Sequence, residues 1–238
     1  MKILFAAFFS VIILISCNGI NGGIHGSGNI KTEQRNVGDF NGVLVSSSID
    51  VEVVQGDHAS VEISADDNVL RYIIVDINNG MLDIRQKDNT SFNDTHISAK
   101  VTAPVINKLY VEGSGNLTVN NILKDASQIE IKLQGSGDID ATVNAPLIKI
   151  TSDGSGNITL KGKTQTLDAQ SSGSGDLKCA DLLSENTMIT SNGSGNSNVY
   201  SSVSIKAKTN GSGDINYSGK PKSTQIEKNG SGSIEAGN

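Results

Sequence analysis

One pentapeptide, Gly-Ser-Gly-Asx followed by an aliphatic residue in most copies, returns seven times between Gly113 and Ile234. Its first glycines are Gly113, Gly135, Gly154, Gly173, Gly193, Gly211 and Gly230, at spacings of 22, 19, 19, 20, 18 and 19 residues. A period this short and this steady is the mark of a solenoid, in which each repeat stacks on the next. An eighth copy, Gly26-Ser27-Gly28-Asn29, stands alone near the start.

Each repeat reads as two half-buried strands joined at the motif. Four residues after the first glycine stand Leu117, Ile139, Ile158, Leu177, Ser197, Ile215 and Ile234. Two residues further stand Val119, Ala141, Leu160, Cys179, Val199, Tyr217 and Ala236. Four residues before it stand Leu109, Ile131, Ile150, Ala169, Ile189, Ala207 and Ile226. The positions between are mostly polar, which is the period of two expected of strands with one face inward. Nineteen residues hold two short strands and two turns but no helical crossover. The spacing therefore predicts an all-β, single-domain parallel β-solenoid with a thin aliphatic core. Its rungs should lie about 4.8 Å apart.

The motif itself predicts a tight reversal. Its glycines are expected at positive φ, where only glycine is unstrained. The Asx row, Asn116, Asp138, Asn157, Asp176, Asn196 and Asp214, is expected to bond local backbone and to stack as a ladder. Asp and Asn alternate strictly in it, which keeps like charges two rungs apart. The row is the chain's candidate position for a ligand or calcium. One carboxylate per two rungs falls short of the six to eight oxygens calcium takes, so no metal is expected.

The chain opens with Met1-Lys2 and an apolar run from Ile3 to Ile15 broken only by Ser10. That run is shorter than the roughly 20 residues a membrane span needs and fits a secretory leader, residues 1–16. Leu14-Ile15-Ser16-Cys17 resembles a bacterial lipobox, which makes Cys17 the lipid-attachment residue and the membrane a partner through that anchor. Acyl chains paired on one residue hold a protein stably at a bilayer. Residues 17–37 read as the lipidated cysteine with a linker or first rung. No acidic run follows Cys17, so both leaflets of the outer membrane stay open.

Net charge is −6, which argues against a nucleic-acid partner. Cys179 sits on a core row and reads as a buried free thiol. His25, His58 and His96, and Arg35, Arg71 and Arg85, all precede the regular repeats. From Gly113 onward there is neither His nor Arg, and the only aromatics are Tyr200 and Tyr217. These patterns predict no catalytic residues, no cofactor and no enzyme activity.

Residues 32–112 keep the strand rhythm without the motif. Val43-Leu44-Val45, Ser46-Ser47-Ser48 and Ile49 to Val53 read as a degenerate repeat with serines at its turn. Asn89 to Asp94 reads as a protruding loop, and Asp66 to Ile73 as a helical turn or a loop. Taken in chain order, the whole predicts about eleven rungs, roughly 50 Å of rod at 4.8 Å per rung. Irregular rungs at the amino end would form the cap a solenoid needs.

A lipoprotein leader, degenerate strands and carboxy-terminal Gly-Ser-Gly-Asx-Ile/Leu turns resemble the head GIN domain proteins of Bacteroidetes. The likeness covers roughly residues 38–236. It implies a parallel β-helix akin to the pectin-lyase superfamily, no recognised catalytic residues, and adhesion to a surface glycan or protein. The alternative role is an envelope scaffold that self-associates weakly through its ends or faces.

Overall fold

The computed structural model describes residues 23–237; the leader and Cys17 lie outside the described residues. Seven Gly-Ser-Gly turns stack into a regular parallel solenoid. Before the turns, Leu109, Ile131, Ile150, Ala169, Ile189, Ala207 and Ile226 are successive register partners. After the turns, Leu117, Ile139, Ile158, Leu177, Ser197, Ile215 and Ile234 are likewise partners. The two rows face each other across one continuous core and are buried except in the last rung. In the second and third repeats the return segment stays extended, so Ile139–Ser152 and Ile158–Ser171 each run unbroken through both faces. The longest repeat, of 22 residues, absorbs its surplus as a register shift between Thr118 and Ile122. There the Asn121 Oδ1 accepts the Gln55 backbone N–H at 3.0 Å.

The eleven-rung rod in chain order does not hold. Gly42–Val45 and Asp50–Gln55 form the rung directly under the first Gly-Ser-Gly repeat, with Val45 opposite Val111 and Val51 opposite Leu117. The serine-turn repeat is thus real. The rung beneath it comes from later in the chain: Met81–Gln86 pairs with Gly42–Val45, and Ile97–Ala103 with Asp50–Gln55. Beyond that the direction reverses. Ser60–Asp66 lies antiparallel to Ile97–Ala103, and Ile73–Asn78 antiparallel to Met81–Gln86. A 3-10 turn, Leu70–Tyr72, joins them. The reversal is made at Asn79-Gly80, both at positive φ (52° and 77°), the dipeptide that two-residue hairpins favour. Ile30–Arg35 closes this end as an antiparallel edge strand on Ser60–Asp66. A cap exists, as expected, but it is antiparallel.

The lone Gly26–Asn29 motif is not a solenoid turn. A loop from Asp66 to Asn68 holds it: Asp66 Oδ1 accepts the Gly28 N–H at 2.7 Å, and Asp67 accepts the Ser27 hydroxyl at 2.7 Å. Those bonds, from Ser27 first and then Asn29, hold the Asp67 carboxyl below the usual carboxylate range. The loop of Asn89 to Asp94 does not simply protrude either, since Phe92–Asn93 pairs with Ile24–His25.

Candidate functional site: the Gly-Ser-Gly edge and the groove at its end

The glycines of the seven turns are required by stacking and not by dihedral angle. None of them is at positive φ; among the described glycines only Gly28, Gly80, Gly162 and Gly219 are. A Cβ on Gly135 would stand 1.8 Å from the Gly113 carbonyl oxygen, and one on Gly154 2.0 Å from that of Gly135. Such contacts are with backbone and cannot be relieved by a rotamer. Bare backbone on backbone lets each carbonyl accept from the rung above, as Gly113 O does from the Ser136 N–H at 2.9 Å. Ser47 and Ile49 carry side chains at the equivalent positions. The next rung down passes between its two strands through a longer segment, Lys87 to His96, in place of a Gly-Ser-Gly turn.

The Asx residues bond between rungs and not locally. Asn116 Oδ1 accepts the Asp138 N–H at 2.9 Å, and Asp138 Oδ1 accepts the Asn157 N–H at 2.7 Å. Asn157, Asp176 and Asn196 continue the relay at 3.2, 2.8 and 3.0 Å. The structure adds two members missed in the sequence. Asp50 accepts the Asn116 N–H at 2.9 Å at one end, and Ser233 donates its N–H to Asp214 at 2.6 Å at the other. At two of the steps where an Asn sits on an Asp its amide N–H also donates to the carboxylate, Asn116 to Asp50 at 3.0 Å and Asn157 to Asp138 at 3.1 Å. The backbone N–H of each next rung is the donor common to every step, and alternation adds the amide bonds at Asp50 and Asp138 while spacing the charges. The Ser233 N–H, then its hydroxyl, with Lys228 further off, hold the Asp214 carboxyl below its ordinary range.

The edge so built is flat and polar. The middle serines of the motif, Ser114 to Ser231, are all exposed along it. A parallel row of exposed polar residues precedes the turns, and in it the Asn229 amide donates to Asn210 at 3.1 Å and the Asn210 amide to Asn192 at 2.7 Å. Carboxylates gather on this edge at Asp50, Glu112, Asp138, Asp153, Asp176 and Asp214. At the amino end the ladder runs into a groove of about 770 Å³, lined by Ser48, Asp50, Phe92, Asp94, His96 and Ser98 among others. It is the gap left by the detour of Lys87 to His96. His25 approaches Asp94 there, Nδ1 to Oδ2 at 3.6 Å.

Among the described residues no three His, Cys, Asp or Glu side chains converge as a metal site. Cys179 is fully buried, and loss of solvent pushes its thiol up to about 12. The groove had no motif to announce it. Asp50 had one: it follows the serine turn at the spacing that Asn116 keeps from Gly113.

The likeness to solved structures is extensive. A "putative adhesin" from Bacteroides fragilis superposes with a TM-score of 0.86 at 24% identity, over 90% of this chain and 100% of that one. A "putative lipid binding protein" from Parabacteroides distasonis gives 0.75 at 24% identity, over 90% and 99%. A "putative adhesin" from the same organism gives 0.72 at 24%, over 90% and 100%. The chain matches no curated protein sequence. Residues 39–221 match the model of one family, described as "Putative auto-transporter adhesin, head GIN domain". With that match spanning most of its length, the chain belongs to the head GIN domain family.

Proposed function

We propose that the protein is a non-enzymatic adhesin of the cell envelope, held at the outer membrane by acylation of Cys17, which binds a surface glycan along the Gly-Ser-Gly edge. The observation that carries this reading is the continuity of the Asx ladder with the groove at Asp50. A linear, hydroxyl-rich chain could lie along the serine and Asx rows with its end in the groove. There Phe92 offers a ring edge and Asp50, His96 and the serines offer hydrogen bonds. The sparse aromatics elsewhere favour weak contacts repeated along the rod, which gain strength by multivalency. Membership of an adhesin family supports the same reading.

The test is an oligosaccharide panel of increasing length read by calorimetry. Affinity should rise with chain length and fall on Asp50→Ala combined with His96→Ala. Binding that ignores both length and the groove variant would end the proposal. A second reading, an envelope scaffold, is favoured by the last rung. Ser223–Lys228 is exposed along its whole length, and its core-row residue Ile226 is 47% exposed. Sedimentation that shows a stable oligomer lost on Ile226→Lys would favour the scaffold.

A further inference from the structure

We propose that the long edge opposite the Gly-Ser-Gly turns, where the chain returns from one repeat to the next, docks on an anionic lipid surface. Seven large apolar side chains are exposed among the described residues, and four of them lie on this one edge. They are Val105, Ile122, Leu183 and Val203, between 43% and 49% exposed. The register places them. Lys124, Asn144, Lys163 and Leu183 are successive partners, as are Ile122, Thr142 and Lys161. Val203 donates its N–H to Glu185 and accepts that of Lys222. Val105 follows Pro104, whose carbonyl and that of Lys124 both accept from the Gln55 amide.

Lys124, Lys161, Lys163 and Lys222 therefore stand among the aliphatics. All four are exposed, and none makes an ion pair with another described residue. The edge also holds Asp125, Asp181 and Glu185. Asp125 accepts from the Ser127 and Gln128 N–H groups and from the Asn107 amide, which ties it into the rung. Aliphatic side chains between solvated lysines match a surface that is apolar below and negative at its face. A second copy would supply less. The acidic Gly-Ser-Gly edge of a neighbour complements the lysines, but that edge exposes no large apolar side chain to cover Ile122 and Leu183. A rod lying on this edge would turn the Asx ladder and serines away from the membrane.

Docking is independent of Cys17, so the test uses the protein from Asn18 onward, which contains every described residue. Its cosedimentation is measured with vesicles of phosphatidylcholine alone and of equal parts phosphatidylcholine and phosphatidylglycerol. Binding should need the anionic lipid and weaken with salt. It should fall about fivefold for each of Lys124, Lys161, Lys163 and Lys222 replaced by Gln. Ile122→Ser with Leu183→Ser should weaken it further, and Asp138→Asn with Asp176→Asn should not. Thermal unfolding checks the fold of each variant, and the surface Lys→Gln set decides alone if the serine pair fails to fold. No binding to anionic vesicles, or binding indifferent to the four lysines, would overturn the proposal. So would an oligomer in solution, lost in the Asp→Asn variant, with no response to vesicles.

Discussion

Replacing Gly154 by Asn separates the two reasons a turn can require glycine. Asn enters the left-handed region more readily than other side chains. If positive φ were the requirement, Asn would be nearly tolerated. In the structure a Cβ at Gly154 meets the Gly135 carbonyl oxygen at 2.0 Å, and that oxygen accepts the Ser155 N–H at 3.0 Å. Restoring an ordinary contact separates the rungs by roughly 1 Å, well beyond the tolerance of a hydrogen bond. Overpacking against a fixed backbone costs about 1–3 kcal/mol, and a lost turn bond with its buried acceptor about 1 more. Fewer unfolded conformations than glycine's give back roughly 0.4–1 kcal/mol. Gly154→Asn and Gly154→Ala should therefore each cost about 1–3.5 kcal/mol. Gly28, at φ 78° with open space around its missing Cβ, should accept Asn at a cost well under 1 kcal/mol. Urea unfolding followed by far-ultraviolet circular dichroism measures all three. A Gly154→Asn protein within about 0.5 kcal/mol of wild type, the usual range for harmless surface changes, would refute the stacking argument.

Ile158→Asp, at a fully buried core position, should cost several kcal/mol, while Thr159→Asp on the outer face should be nearly neutral by the same assay. Ser171→Ala should be neutral or stabilising, because its buried hydroxyl has no hydrogen-bond partner among the described residues; a loss above about 1 kcal/mol would show a partner. The Cys179 thiol ionises at about 12 when folded against 9.0 ordinarily. Its folded pKa is the higher, so its contribution is complete below pH 9 and falls as pH rises from there towards 12. A Cys179→Ala protein should lack that component of the alkaline profile, and native Cys179 should resist thiol reagents at pH 8 that label the unfolded chain. Cys17→Ser should move the protein from the membrane to the soluble envelope fraction; membrane retention with no acyl label lost would refute the anchor.

The regular part of the fold was legible because one local rule, alternation about a fixed turn, repeats in register. The rows Leu117 to Ile234 and Leu109 to Ile226 are readable as core rows from their spacing alone. The amino-terminal part was not, because its order in space departs from its order in sequence. Nothing local in Met81–Gln86 says that it will lie under Gly42–Val45. Asn79-Gly80 did carry the signal for a hairpin, and with it the reversal, but the solenoid rhythm on either side masked it. The Asx row was legible as a ladder. Its bonds were not, since Oδ1 of one rung meeting the N–H of the next depends on the stacking of two turns. The groove at Asp50 arises from a detour in a neighbouring rung and so has no sequence of its own.

The interleaving at the amino end bears on how the chain can be assembled as it emerges. Gly42–Val45 and Asp50–Gln55 are made early, yet their neighbours on both sides, Met81–Gln86 with Ile97–Ala103 and Lys108–Val111 with Leu117–Lys124, come dozens of residues later. That block has no stable partial form made of consecutive residues, and its high contact order makes its closure slow. Every later repeat finds a finished template and pays loop closure over only about one repeat length. Growth is therefore directional. The topology makes the amino-terminal block the expected nucleus, from which the rod lengthens one turn at a time.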